Sequence, residues 1–465
     1  MIKQKMNLKI EYGEGLIDVN CDHSVDVRGM AGNPEAIALP KGITDALENP
    51  INSPSLLEIG KQKIVENANA QAVIVVSDNT RPVPYRGEHG IMRYIIRTLL
   101  EAGFAQSQVT VIIGAGSHRN MEADEIETML GLQESGFAEV NVTNHEYDND
   151  DHLIYLGTTS RGSEVTVNRQ YYEADLKIVT GLVESHFMAG ASGGRKGICP
   201  GIVGIKTLKI FHGAKFLSSA KAADLVLEGN PLNDESLEVA QMAGCDFLVN
   251  TTLDADKRMT GVYAGDLVAA HQAAVQKIRE YVVVPLEQHY DIVIIPAGFV
   301  GINHYQAGKA AIEAARAVKL GGQIIIVAKN TDTDPVGGRG YKQSLKLLAK
   351  HGKAEFLRMI SDSQWEMIQE QWQVQMWSKV LTRIEREDNL IYCALEIPDA
   401  EYEHLPGVPG FQLLDQSKSQ SVTDEEKITQ ITEAAIQHAI RSANAPNPSI
   451  VLLKDGPYGI PEVLE

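Results

Sequence analysis

Short, wholly apolar runs recur along this chain with helix-length amphipathic stretches between them, and no other feature limits its fold as strongly. AVIVV (Ala72 to Val76) is followed by a helix-like stretch from His89 to Ala102 and then by VTVIIG (Val109 to Gly114). A strand that is apolar at every position has no face for water, so it belongs in a sheet covered on both sides. A helix between two such strands is the crossover that makes them parallel. The rhythm continues with LKIVTGLV (Leu176 to Val183), then with DFLVNTTL (Asp246 to Leu253) feeding a helix predicted from Asp266 to Tyr281. A second series opens after Val282 to Val284 and Pro285. It contains strand DIVIIPAG, helix YQAGKAAIEAARAV, strand GGQIIIVAK, further helices, and strand LIYCAL ending near Leu395.

The fold class is therefore α/β with mainly parallel sheets, and its length of 465 residues asks for two domains. A boundary falls near residues 280–288. Residues 406–423 are rich in Pro, Gly, Ser and Gln and read as a linker. Beyond it Thr423 and DEEK start a helix with Ile428, Ile431, Ala435 and Ile436 at helical spacing to about Ala443, and strand SIVLLKDG follows. Pattern alone does not say which domain this tail completes.

Composition removes several classes of function. With 44% hydrophobic and 22% charged residues the chain can bury sizeable cores, and with 42 basic against 61 acidic residues its net charge of -19 repels nucleic acid and anionic membranes. An anionic substrate would need local cations to capture it. The four cysteines, Cys21, Cys199, Cys245 and Cys393, lie far apart and fit a reducing cytoplasm. The opening MIKQKMNLKIEYGEG has no apolar core of a signal peptide, and no segment reaches about 18 uninterrupted apolar residues. The expectation is a cytoplasmic protein.

In parallel sheets, ligands bind beyond the carboxyl ends of the strands. Three successive strand ends here carry polar clusters: SDNTRPVP with Asp78 and Arg81, AGSHR with His118 and Arg119, and ESHFMAGASGGRKG with His186, Ser192, Gly193, Gly194, Arg195 and Lys196. Each has a plainer reading. Asp78 and Asn79 could merely start a turn enforced by Pro82, and a lone His118 after a glycine turn is more often a packing residue. SGGRKG has the makings of a phosphate cradle, since glycines let backbone N–H groups approach an anion while Arg195 or Lys196 adds charge. It is not a GxxxxGK[ST] loop, because Arg195 precedes and Gly197 follows Lys196. His212, sixteen residues beyond Lys196, has no second ligand near it in sequence. Zinc held by His118, His186 and His212 would make a hydrolase, but no HExxH or HxxEH supports it. In the second series NHYQAGK places Tyr305, Gln306 and Lys309 at a helix start, with Gln306 and Lys309 on one face.

Taken together, DNTRPVP, GAGSHR, SHFMAGASGGRKG, the histidine beyond the lysine, and YQAGK with a downstream QWQVQ resemble the nickel-dependent lactate racemase family, over about Asp78 to Trp372. The resemblance implies a racemase or epimerase of a lactate-like 2-hydroxy acid, with two α/β domains and an active-site cleft between them. It implies a nickel-pincer nucleotide (pyridinium-3-thioamide-5-thiocarboxylic acid mononucleotide with nickel) covalently linked to Lys196, with His212 on the metal and His118 and His186 as catalytic histidines. Asp78 and Arg81 would line the cofactor and substrate pocket. Tyr305, Gln306, Lys309 and Trp372 would bind substrate, with Trp365 and Trp377 as competing choices for the tryptophan. The tail would return to the first domain, giving domains 1–280 plus 411–465 and 281–410. Transient partners would be the cofactor-synthesis proteins. The chain departs from the family in length, apparently between Asn144 and Arg169 and after Gly410, so substrate preference is left open.

The implied chemistry has a physical logic. The Cα–H bond of a hydroxy acid is only feebly acidic, so removing hydride instead of a proton avoids a carbanion and gives a planar 2-keto acid reducible on either face. Such a racemase gains from two bases near pKa 6.5, which suits histidine, and from cations such as Arg81 and Lys309 to hold the carboxylate. A metal-dependent hydrolase and a non-catalytic nucleotide-binding protein are the competing readings.

Overall fold

A computed structural model describes residues 6–414 and 423–464. The chain divides into two compact units, Gly32–Tyr281 and the pair of segments Met1–Ala31 and Val282–Glu465.

The Gly32–Tyr281 unit is built on a six-stranded sheet in the order Met259–Gly265, Phe247–Leu253, Leu176–Leu182, Ala72–Val76, Val109–Ile113, Asn141–Asn144. Every pairing is parallel except that of the Met259–Gly265 edge strand. Alternation within the apolar runs divides them between two cores. Ile74, Val76, Val111, Ile113, Ile178 and Val249 face one, with the helix Ile91–Ala102 packed over them. Val73, Val75, Ile112, Val179 and Leu248 face the other, with Ala240, Ala243 and Ala270 of the helices Pro231–Ala243 and Ala269–Val282. The stretch between Asn144 and Arg169, singled out for its length, folds as an antiparallel hairpin of Leu153–Thr158 against Glu164–Asn168.

The other unit has a wholly parallel six-stranded sheet in the order Val408–Pro409, Leu390–Cys393, Val318–Val327, Tyr290–Pro296, Ile450–Leu453, Asp26–Arg28. Ile292, Ile294, Ile325 and Val327 bury one face against the helix Asp424–Ser442 and an antiparallel hairpin, Met6–Tyr12 with Gly15–Cys21. Helices His304–Ala317, Arg339–Ile360 and Gln371–Ile384 also belong to this unit.

Two expectations are corrected here. The tail does not return to the first domain: Ile450 and Leu452 pair with Ile292 and Ile294, and the helix before them fills the same core. Its apolar side fits either unit by pattern, and only long-range pairing decides. Residues 406–423 are also more than a linker, because Val408 and Pro409 pair with Ile391 and Tyr392; residues 415–422 lie outside the described residues. Thr423 caps its helix as its sequence suggests, its hydroxyl accepting from the Glu426 amide at 3.2 Å while Glu426 accepts from the Thr423 amide at 2.9 Å.

Candidate active site

The strands Leu176–Leu182, Ala72–Val76 and Val109–Ile113 are neighbours in the sheet, so the three polar clusters emerge side by side at their carboxyl ends. At the middle end Asp78 is buried, and its Oδ2 lies 2.6 Å from Nδ1 of the half-exposed His118. Thr80 holds the other carboxylate oxygen, its hydroxyl donating at 2.5 Å and its amide at 3.3 Å. Burial alone would raise the Asp78 pKa, but the hydrogen bonds from His118 and Thr80 outweigh it and hold the carboxyl below its usual range. An ionised carboxylate against Nδ1 places the proton there and leaves the lone pair of the neutral ring on Nε2, the form a general base needs. A buried relay braces this end: the Ser77 amide donates to the Tyr85 hydroxyl, Tyr85 to Thr180, and Thr180 to the Val75 carbonyl, at 2.8–2.9 Å. Arg81 is exposed beside Asp78, whereas Arg119 is taken up by Glu125 at 2.7 Å.

The third strand end carries a small hairpin, Ser185–His186 against Gly190–Ala191. His186 Nδ1 accepts the amides of Met188 and Ala189, both at 3.2 Å, so its neutral ring carries the proton on Nε2. The two histidines are thus held in opposite tautomers. Ser192 acts as a staple, donating to the Leu182 carbonyl at 2.8 Å and accepting from the Glu184 amide at 2.9 Å. Gly193 and Gly194 have φ of +72° and +53°, and a Cβ on Gly193 would stand 2.8 Å from Val183 Cγ2.

Part of the loop's donor set is already taken within the protein. The amides of Ser192, Gly194 and Lys196 are already bonded to the Glu184 carbonyl, Asn250 Oδ1 and the Gly193 carbonyl. Arg195 turns inward, 3% exposed, and bonds the Ala189 and Ala191 carbonyls and the His271 ring. The glycines permit this tight packing, and Lys196 is the basic side chain of the loop that does not turn fully inward. It is half-buried, and among the described residues no carboxylate pairs with it. Burial, reinforced by Arg81 and Arg195, pushes its amine well below the usual lysine pKa. His212 follows the helix Ile205–Phe211, and burial together with the Lys196 charge pulls it down to about 4. Both shifts run in the direction of the neutral, electron-donating form. Among the described residues no cluster of three His, Cys, Asp or Glu side chains could hold a metal ion, so the three-histidine zinc site of a hydrolase is not assembled.

In the other unit Asn303 caps the helix His304–Ala317, accepting from the Gln306 amide at 2.9 Å. This sets Tyr305, Gln306 and Lys309 in its first turns. Trp372 donates its indole N–H to the Tyr305 hydroxyl at 3.1 Å, and Gln373 donates to the Tyr305 carbonyl at 2.9 Å. Trp365 instead bonds Gln371, and Trp377 is buried on Tyr341, so of the three tryptophans Trp372 is the one hydrogen-bonded to Tyr305. Burial pushes the Tyr305 phenol up to about 12, keeping it protonated.

Sequence reasoning missed Asn250 and His271. Asn250 had a signal, since it opens a polar Asn-Thr-Thr run inside an otherwise apolar strand, all three residues 0% exposed. His271 had only its place on the buried face of an amphipathic helix.

Acid–base groups gathered at parallel strand ends define an α/β enzyme acting on a small molecule. Comparison with known proteins narrows the class. The model of the lactate racemase N-terminal domain matches residues 12–224, and that of the lactate racemase C-terminal domain matches residues 286–399. A lactate racemase of Lactiplantibacillus plantarum is 32% identical over 342 residues, covering 73% of this chain and 77% of the relative. One from Thermoanaerobacterium thermosaccharolyticum is 29% identical over 381 residues, covering 81% and 86%. The chain belongs to the lactate racemase family and is an isomerase of that kind. Among solved structures, the lactate racemase apoprotein from T. thermosaccharolyticum shares the fold with a TM-score of 0.81 at 24% identity, covering 99% of this chain and 100% of that one. A Thermotoga maritima protein follows at 0.57 and 18%, covering 89% and 100%.

Proposed function

We propose that this chain racemises or epimerises a lactate-like 2-hydroxy acid by proton-coupled hydride transfer, with a nickel-pincer nucleotide tethered to Lys196. The observation that carries this reading is the 2.6 Å pairing of the buried Asp78 carboxylate with His118 at a strand end neighbouring the one that bears the Lys196 loop. The residues fit the group. The Lys196 amine, in its neutral form, would carry the covalent link, and His212 would offer a ring nitrogen to the metal of the group. When bound, the group supplies an electron-poor acceptor for hydride.

The rest falls to the protein. His118 takes the hydroxyl proton at Nε2 while Asp78 stabilises the resulting imidazolium. His186 serves the opposite hand of substrate. Arg81 holds the carboxylate while the carbon flattens, and the family resemblance assigns Tyr305, Gln306, Lys309 and Trp372 to substrate binding as well. Cofactor-synthesis proteins load Lys196 transiently in the cytoplasm. Among the described residues no helix is long and apolar enough to cross a membrane, and the net charge of -19 keeps nucleic acid away.

Mass spectrometry of protein coexpressed with the cofactor-synthesis enzymes should show the adduct on Lys196. A panel of enantiopure 2-hydroxy acids, read by chiral chromatography, should show interconversion of at least one pair. Bound zinc without an adduct would favour a hydrolase, and indifference to His118 and His186 substitution would favour a binding protein.

A further inference from the structure

Asn250 lies in the middle of the strand Phe247–Leu253, 0% exposed, and the proposed chemistry does not use it. A carboxamide buried this deeply needs partners at both its ends, and this one has them. Its Oδ1 accepts the Gly194 amide at 2.9 Å, and its Nδ2 donates to the Gly181 carbonyl at 3.3 Å on the neighbouring strand Leu176–Leu182. The second bond decides which end of the carboxamide faces the loop. Asn250 therefore ties the sheet to the loop that carries Lys196.

The Gly194 N–H and the Gly193 carbonyl belong to one peptide group. Asn250 holds the N–H, and the carbonyl accepts the Lys196 amide at 3.0 Å. That amide belongs to the Arg195–Lys196 peptide, whose carbonyl receives the Ile198 and Cys199 amides at 3.0 and 2.9 Å. The peptide that follows Lys196 is held as well, its carbonyl accepting the Gly201 amide at 3.1 Å. The Lys196 Cα is thus fixed between two bonded peptide planes, and the first is tied to the sheet through Gly193–Gly194 and Asn250. Glycine stands on both sides of the linking peptide, with φ of +72° at Gly193 and +53° at Gly194, so no Cβ opposes its rotation. Its orientation depends on its hydrogen bonds and on close packing: a Cβ on Gly181 would stand 3.3 Å from Gly193 Cα, and one on Gly193 would stand 3.0 Å from Asn250 Oδ1.

We propose that Asn250 is a positioning residue for Lys196, holding the Gly193–Gly194 peptide so that the turn Gly194–Gly197 presents the lysine side chain in one direction. The catalytic meaning rests on the proposed tether at Lys196; the hydrogen-bonded path from Asn250 to the Lys196 backbone does not. An asparagine that only satisfied its immediate neighbours would protect the Gly194 amide and nothing beyond it. A positioning residue acts on the Lys196 amide too, which it does not touch.

The test follows hydrogen exchange of single backbone amides by nuclear magnetic resonance, in the full-length protein made without the cofactor-synthesis enzymes. In Asn250→Leu, close in size but with no acceptor, the Gly194 and Lys196 amides should both exchange at least about tenfold faster than in the unsubstituted protein. The Gly114 amide, which donates to the Val76 carbonyl at 2.7 Å at a nearby strand end, should not change. Asn250→Asp keeps the acceptor for Gly194 and gives up the bond to Gly181, so both variants should melt lower while only Asn250→Asp keeps the two loop amides protected. If Asn250→Leu does not fold, Asn250→Ser, with a shorter side chain, is read in its place. A Lys196 amide that stays protected while Gly194 loosens overturns the proposal, as does a matching acceleration at Gly114 or an equal loss in Asn250→Asp. The tether is read separately, by mass spectrometry of protein coexpressed with the cofactor-synthesis enzymes: adduct occupancy at Lys196 should fall severalfold in Asn250→Leu and recover in Asn250→Asp. Full occupancy in Asn250→Leu refutes the positioning role. An unsubstituted protein without any adduct refutes the tether itself, and the exchange rates then still decide the path from Asn250 to Lys196.

Discussion

Replacing Asp78 by asparagine is a nearly isosteric change whose consequence can be worked out atom by atom. Thr80 presents two donors to Oδ1, its hydroxyl at 2.5 Å and its amide at 3.3 Å, while Oδ2 faces His118 Nδ1 at 2.6 Å. An asparagine keeps its oxygen on the two Thr80 donors, which leaves its NH2 group against His118. Nδ1 must then accept, the ring's proton moves to Nε2, and the base is lost with little change of shape. Loss of a general base typically costs about 10²–10⁴-fold, or about 3–5 kcal/mol of transition-state stabilisation. The assay is the initial rate from each pure enantiomer by chiral chromatography, on protein shown by mass spectrometry to retain its adduct. Enantiomers have equal free energy, so kcat/KM must fall equally in the two directions, and any difference between the hands appears only in how kcat and KM separate. A loss below about tenfold, with the adduct intact, would refute the assignment of His118 as a base oriented by Asp78.

Lys196→Ala should abolish the adduct, whereas His212→Ala should keep it and bind nickel less tightly; an intact adduct in the first, or unchanged nickel content in the second, counts against the assignment. Trp372→Phe removes the hydrogen bond to Tyr305, worth about 0.5–1.5 kcal/mol, and should raise KM severalfold with kcat little changed; a selective fall in kcat would contradict a binding role. Burial pulls His271 and His304 down to about 3. Unfolded histidines titrate near 6.5, so between those values the unfolded chain binds more protons, and stability is full above pH 6.5 and declines as pH falls. Each ring is worth up to about 2 kcal/mol at pH 5, and His304→Phe should lose less stability to urea between pH 7 and pH 5 than the wild type; equal losses would sink the account.

What could be read from the sequence followed the range of the forces involved. Runs such as AVIVV and VTVII announce buried parallel strands because every position is apolar, and the clusters after them fall at strand ends by construction. Local chemistry also marked the helix at Asp424–Ser442 through its Thr423 cap. Arg195 could not be foreseen pointing inward, since a lone arginine in a glycine loop ordinarily seeks water, and the groups that receive it, the Ala189 and Ala191 carbonyls and the distant His271 ring, come together only in the fold. The strand Asp26–Arg28 and the tail strand Ile450–Leu453 join the sheet built on Tyr290–Pro296 by pairings between distant segments, which no local pattern encodes.

In that sheet Ile450–Leu453 stands between Tyr290–Pro296 and Asp26–Arg28, which gives the two units different timetables on the ribosome. Residues 32–281 emerge as one unbroken length holding all six strands of their sheet, and can pack while synthesis continues. Asp26–Arg28 is made early yet has no neighbour to pair with until Ile450–Leu453 arrives, tens of seconds later at about 5–20 residues per second. A nascent chain stalled just before Ile450 should therefore yield a protease-resistant core from 32–281 while the 6–28 segment is still cut, and resistance of that segment should appear only once the late strand has cleared the exit tunnel.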